Sequence, residues 1–187
     1  MEEKLKSALH EGEKLRWWGS AEEFDTFDKT NKPAFIRKAA VSLGIVLALI
    51  IAYVCVVPAE SVKPVLILVL LAFGLIGPGN VLADAAKLKN RVSYAVTDQR
   101  LFQILDSAKG IAYTDIDSVT FKTDGDGHTS LLCGSDAIRA PAAKWRELAV
   151  VGARVNNDTR RVESFVMYAI KDAEKVKALV SEYVTVE

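Results

Sequence analysis

Histidine and cysteine are nearly absent, with two of each in 187 residues. His10 and His128 stand far apart, and Cys55 and Cys133 match no metal-ligand spacing, so no imidazole or thiolate metal site is expected. The same two cysteines give no disulfide framework. Charge of one sign is also missing: 24 basic and 24 acidic side chains cancel. A protein built around nucleic-acid phosphates needs a clustered basic excess, so nucleic acid is excluded as a partner. No serine or cysteine sits in a nucleophile's sequence context, and the glycines follow no strand in a phosphate-cradling pattern. Asp124-Gly125-Asp126-Gly127 has part of a calcium loop but lacks its third oxygen donor and distal glutamate, and is explained as a turn. The expectation is a non-enzyme with no catalytic residue, cofactor, metal or small-molecule substrate.

Charge is most conspicuously missing from the middle of the chain. Half the residues are apolar and 26% are charged, which is near the globular average and excludes disorder as the main state. That average conceals a partition. Residues 1–38 carry eight groups of each sign and residues 84–187 carry fifteen of each, whereas the 45 residues between hold only Glu60 and Lys63. Residues 39–57 and 65–83 are two charge-free runs of 19. A helix rising about 1.5 Å per residue nearly crosses a roughly 30 Å hydrocarbon core in that length. Two tandem core helices would need far more surrounding protein, so a transmembrane hairpin over residues 39–83 is expected. Gly77-Pro78-Gly79-Asn80 interrupts the second run, which predicts a kinked or early-ending helix, with a re-entrant loop as the alternative. No Asp, Glu, Lys, Arg or His lies within either run, so neither a channel nor a transporter is suggested.

Basic residues set the expected topology. Lys29, Lys32, Arg37 and Lys38 precede the first span and Lys87, Lys89 and Arg91 follow the second, while the connecting segment offers Lys63 alone. The positive-inside rule puts both termini in the cytoplasm, for a multi-pass protein without a cleaved signal. Within residues 1–38, Glu2 to Arg16 has helical spacing broken by Gly12. Trp17 and Trp18 then suit either the headgroup region or an extension of the cytosolic core.

From residue 84 the pattern changes to strands. Residues 92–96 alternate, 97–99 form a turn, and 100–105, 111–113, 116–122 and 129–133 continue as short strands. Residues 137–139 and 162–170 are further strand candidates, and Asp172 is placed to cap a helix over 173–183. Val176, Leu179, Val180 and Tyr183 fall on one face of that helix. The pattern describes a mainly-β cytosolic domain over residues 84–187, a small antiparallel barrel or sandwich capped by its C-terminal α-helix.

Gly12-Glu13, then Trp17 and Gly19, precede the hairpin; Tyr94-Ala95-Val96-Thr97-Asp98-Gln99-Arg100-Leu101 and Asp115-Ile116-Asp117-Ser118-Val119 follow it. This order resembles the bacterial membrane proteins with a pleckstrin-homology-like (PH-like) domain. The resemblance implies a PH-like β-barrel at the bacterial inner membrane, with the bilayer and a protein partner or homo-oligomer as its associations. Residues 140–161 match nothing in that pattern. The expected function is a membrane-anchored interaction or scaffold module. Membrane-lipid binding and assembly of a larger membrane complex are the alternatives. Phosphoinositide-binding members of the wider superfamily carry a basic cluster in the first hairpin loop, where this chain has Arg100 alone behind Thr97-Asp98-Gln99. Arg100, Arg160 and Arg161 are the candidate binding residues.

Overall fold

The computed structural model describes residues 2–187, with side chains from Leu5 onward. A short helix α1 (Glu2–Ala8) and strand β1 (Leu15–Ser20) precede two long helices, α2 (Lys32–Val56) and α3 (Pro64–Arg91). Then come β2 (Ser93–Thr97), β3 (Arg100–Ile104), β4 (Ala108–Ala112), β5 (Val119–Thr123) and β6 (Thr129–Cys133). Helices α4 (Ser135–Arg139) and α5 (Trp145–Val151), strands β7 (Arg154–Val155) and β8 (Val162–Met167), and helix α6 (Ala173–Val180) complete the order. The strands form two four-stranded antiparallel sheets, β1-β2-β3-β4 and β5-β6-β8-β7.

The chain before the hairpin is therefore half of a strand pair closed by the chain after it. Trp17 lies opposite Val96 and Trp18 opposite Ala95. Successive side chains of a strand point to opposite faces, which divides the two tryptophans. Trp17 enters the main core, whereas Trp18 joins a smaller cluster of Leu5, Ala95, Phe102 and Ile104 on the sheet's other face. Both tryptophans thus extend the β unit's packing. The helical spacing over Glu2 to Arg16 is realised only as far as Ala8, because Gly12, at φ +82°, turns the chain into β1.

Both sheets feed one apolar core. Tyr94, Val96, Leu101 and Ile111 come from the first, and Val119, Leu131, Phe165 and Val166 from the second. A hydrogen bond from the Tyr168 N–H to Tyr94 Oη at 3.0 Å stitches them together. Helix α6 adds Val176 and Val180, both fully buried, with Leu179 half-buried beside them. Asp172 occupies the cap position at φ +62° but its side chain makes no cap hydrogen bond. The strand expected over 137–139 is instead helix α4. Gly134, at φ +83°, turns the chain there, and a Cβ would collide with the Glu163 carbonyl. Residues 140–161 hold α5 and β7. Trp145 and Ala149, a turn apart, are the buried side of α5.

Helices α2 and α3 have 25 and 28 residues, both long and apolar enough to cross a membrane. Core helices bury such residues, but here Ile45, Leu47, Ile51, Leu68, Phe73 and Leu75 are exposed. Helix α3 runs unbroken through Gly77-Pro78-Gly79-Asn80, so the second apolar run is continuous rather than re-entrant. Pro78 has no N–H, which orphans the carbonyl of Gly74 four residues earlier. The Ser42 hydroxyl of α2 donates to that carbonyl at 2.7 Å. Gly74 also allows the helices to approach, since a Cβ there would lie 3.0 Å from Val46 Cγ2.

Candidate functional site

Arg100, at the start of β3, is the first candidate, and its charge is used inside the fold. Its Nη2 donates to Glu13 Oε2 at 2.5 Å, its Nε to Glu13 Oε1 at 3.2 Å, and Nη2 also to the Ala8 carbonyl at 3.1 Å. The Thr97 hydroxyl donates to Glu13 Oε1 at 2.6 Å and accepts the Arg100 N–H at 2.9 Å. Lys14 and Asp98 exchange two more bonds, from the Lys14 N–H to Asp98 Oδ1 at 2.9 Å and from the Asp98 N–H to the Lys14 carbonyl at 3.1 Å. Burial pushes the Glu13 carboxyl up, but Arg100, the His10 N–H and Thr97 outweigh it and hold the group down at about 2. Glu13, Thr97, Asp98 and Arg100 thus bolt the N-terminal segment to the β2–β3 turn.

Arg160 and Arg161 lie elsewhere, in the exposed turn between β7 and β8. The Asn156 side chain organises this turn by accepting the N–H groups of Asp158 and Thr159, each at 3.0 Å. Arg160 is exposed at φ +55°, and Arg161 pairs with Asp117. Arg161 and Arg100 line different cavities, so the three arginines do not form one cationic site.

A second network clamps the chain just ahead of α2. Arg146 of α5 is buried and donates to the carbonyls of Thr26 and Asp25 at 3.1 and 3.0 Å, to Tyr168 Oη at 3.1 Å, and to the Asp28 carboxylate. Its guanidinium stacks 4.2 Å from the centre of the Phe24 ring. In the β5–β6 turn, Asp126 accepts the N–H groups of Lys29 and Thr30 at 3.0 and 2.9 Å and the Thr30 hydroxyl at 2.6 Å. That hydroxyl bond, chiefly, lowers the Asp126 pKa. Asp124 accepts the Asp126 and His128 N–H groups at 2.9 and 3.0 Å and the Tyr168 hydroxyl at 3.2 Å. Asp28, Asp124 and Asp126 offer oxygens within 4.8 Å of one another, yet backbone N–H groups and the Arg146 cation already engage them. The DGDG sequence is a turn, as its composition predicts, and also a hook for the α2 approach.

The remaining feature is a groove of about 670 Å³ where the helices meet the β unit. Arg37, Val41 and Ile45 form one row of α2, with Lys38 and Ser42 beside it; Gly77, Asn80 and Asp84 form a row of α3; Glu147 of α5 closes the polar end. Lys38 Nζ is 3.0 Å from Glu147 Oε2. Arg37 and Lys38 were legible only as topology signals. The spacing of Arg37, Val41 and Ile45 and that of Gly77, Asn80 and Asp84 were present in the sequence, but no local periodicity shows that the two rows face each other, and Glu147 sits in the unmatched stretch 140–161. Cys133, by contrast, is fully buried, and burial pushes its thiol up, leaving it unreactive at neutral pH. Comparison of the chain with protein-family models, curated proteins and solved structures finds no match.

Proposed function

We propose that this is a membrane-anchored interaction module: a PH-like β unit held at the cytoplasmic face of a bacterial inner membrane by a two-helix hairpin, acting by association with a protein partner or further copies of itself. The observation that carries the reading is the β1–β2 pairing across the hairpin. Strands on either side of α2 and α3 can pair only if the hairpin returns to the side it left, as two membrane crossings do. The basic residues that flank the hairpin favour the cytoplasmic side. The clamps at Arg146 and Asp126 then fix the attitude of the β unit to the helices, which suits presentation of a surface rather than a tethered, freely turning head. Strand β4 ends its sheet with Lys109 and Gly110 exposed, an edge of the kind that receives an added strand.

Mass determination of the full chain extracted in mild detergent, with identification of stoichiometric companions, tests this. A discrete oligomer or a one-to-one partner is expected, cross-linking through a cysteine placed at Lys109. A monomer with no companion at any concentration sinks the association reading.

A further inference from the structure

We infer that the groove between the helices and α5 is a binding site for one phospholipid molecule whose headgroup carries both a phosphate and a primary ammonium. The inference rests on the hairpin being in a membrane and goes beyond association through the β unit. The groove is graded along its length. Val41, Ile45 and Gly77 make an apolar end, whereas Arg37, Lys38, Asp84 and Glu147 make a polar one. From Arg37 to Ile45 is eight residues of α2, roughly 12 Å at about 1.5 Å per residue, enough for a headgroup and the upper part of an acyl chain. Gly77 keeps the apolar end open, because only Ser42 atoms at 3.8 and 3.9 Å approach where its Cβ would be.

Charge decides the headgroup. Lys38 and Glu147 neutralise each other at 3.0 Å. Arg37 is exposed and has no ion-pair partner among the described residues. Asp84, with its side chain about one-fifth exposed, has Lys87 at the limiting distance of 4.0 Å, while Glu147 and Lys38 act on it from farther away with opposite signs. One cation and one carboxylate are therefore left with spare capacity in the same groove. A phosphate fits the Arg37 fork. Beside it, Asp84 repels a headgroup with only negative charge. It also gains less from a quaternary ammonium, which has no N–H to donate, than from a primary ammonium with three.

The test is native mass spectrometry of the detergent-extracted full chain, offered phosphatidylethanolamine, phosphatidylcholine or phosphatidylglycerol with identical acyl chains. Single-lipid adducts of phosphatidylethanolamine should survive at least about threefold better than either of the others, as one partly exposed charged contact provides. Asp84→Asn should reduce phosphatidylethanolamine to the level of phosphatidylcholine. Arg37→Gln should weaken all three, and the exposed Lys177→Ala should change nothing. Headgroup-blind retention by the wild-type chain overturns the site, as does an Asp84→Asn protein that keeps the preference. If Asp84→Asn does not fold, the wild-type series and Arg37→Gln still decide. A chain that stays soluble and monodisperse without detergent overturns the membrane reading itself, whereas a detergent-dependent but headgroup-blind chain overturns the groove alone.

Discussion

Glu13 shows how one side chain can fasten two distant stretches of chain. Its side chain is fully buried and its carboxylate is ionised against Arg100, with Thr97 and the His10 N–H completing its shell. A folded-state pKa held at about 2 lies below the unfolded value of ~4.3, so the group contributes stability that is complete above that value. That contribution is lost as pH falls from ~4.3 through the folded value, and it amounts to about 3 kcal/mol at most. Glu13→Gln is expected to lower the melting temperature at neutral pH and to flatten its dependence on pH between ~4.5 and ~2. Thermal unfolding of both proteins in the same detergent across that range checks it, and parallel curves would refute the assignment. The residue types of this network were legible: Gly12-Glu13 and Thr97-Asp98-Gln99-Arg100 were singled out from sequence. Their pairing was not, because 84 residues separate Glu13 from Thr97 and no local periodicity links them. Arg146 was less visible still, since a basic residue between Trp145 and Glu147 reads as a solvated helix position until its burial is known.

At the scale of elements, α2 and α3 depend on each other through a single backbone defect. Pro78 leaves the Gly74 carbonyl without its helical donor, and Ser42 of the neighbouring helix supplies one. Where water is scarce, an unsatisfied carbonyl is costly, and polar side chains on adjacent helices are the available remedy. Ser42→Ala should therefore destabilise the hairpin by about 1 kcal/mol, the range found for hydrogen bonds between membrane helices. In a Pro78→Ala background, residue 78 regains its N–H, so the same serine substitution should cost close to nothing. A double-mutant cycle on the denaturation midpoint measures the difference, and equal costs in both backgrounds would contradict the pairing. Sequence exposed the proline and the glycines but not the outcome, because whether a helix survives a proline is decided by what its neighbour offers. The same limit explains the other departures. Residues 137–139 have strand-compatible composition, yet they lie in helix α4, entered through Gly134, whose positive φ and close Glu163 carbonyl suit glycine alone. In α6, one apolar face was apparent from spacing, but only packing separates the fully buried Val176 and Val180 from the half-buried Leu179.

For the whole molecule, the decisive link is that β1 and β2 are adjacent in the sheet although two long helices separate them in the chain. Removing residues 1–38 would take Trp17 out of the main core and leave β2 as a new sheet edge, so the β unit is not residues 84–187 alone. In the proposed membrane arrangement, folding couples insertion to sheet formation, because β1 pairs with β2 only after the hairpin has returned to its side. This gives a topological prediction stronger than the flanking-charge argument. In the proposed arrangement, cysteines placed at Ser61, between the helices, and at Ser107, in the exposed β3–β4 turn, lie on opposite sides of the membrane. With Cys55 replaced by serine, a membrane-impermeant thiol reagent applied to intact cells should label Ser61→Cys and spare Ser107→Cys until the cells are opened. Cys133 cannot serve as the inner reporter, since it is fully buried and its thiol is held protonated wherever the β unit resides. The reverse pattern would place the β unit outside and discard the cytoplasmic assignment while keeping the hairpin. Labelling of both positions in intact cells would mean that the two helices do not cross, and their exposed apolar faces would then have to be covered by protein instead of lipid.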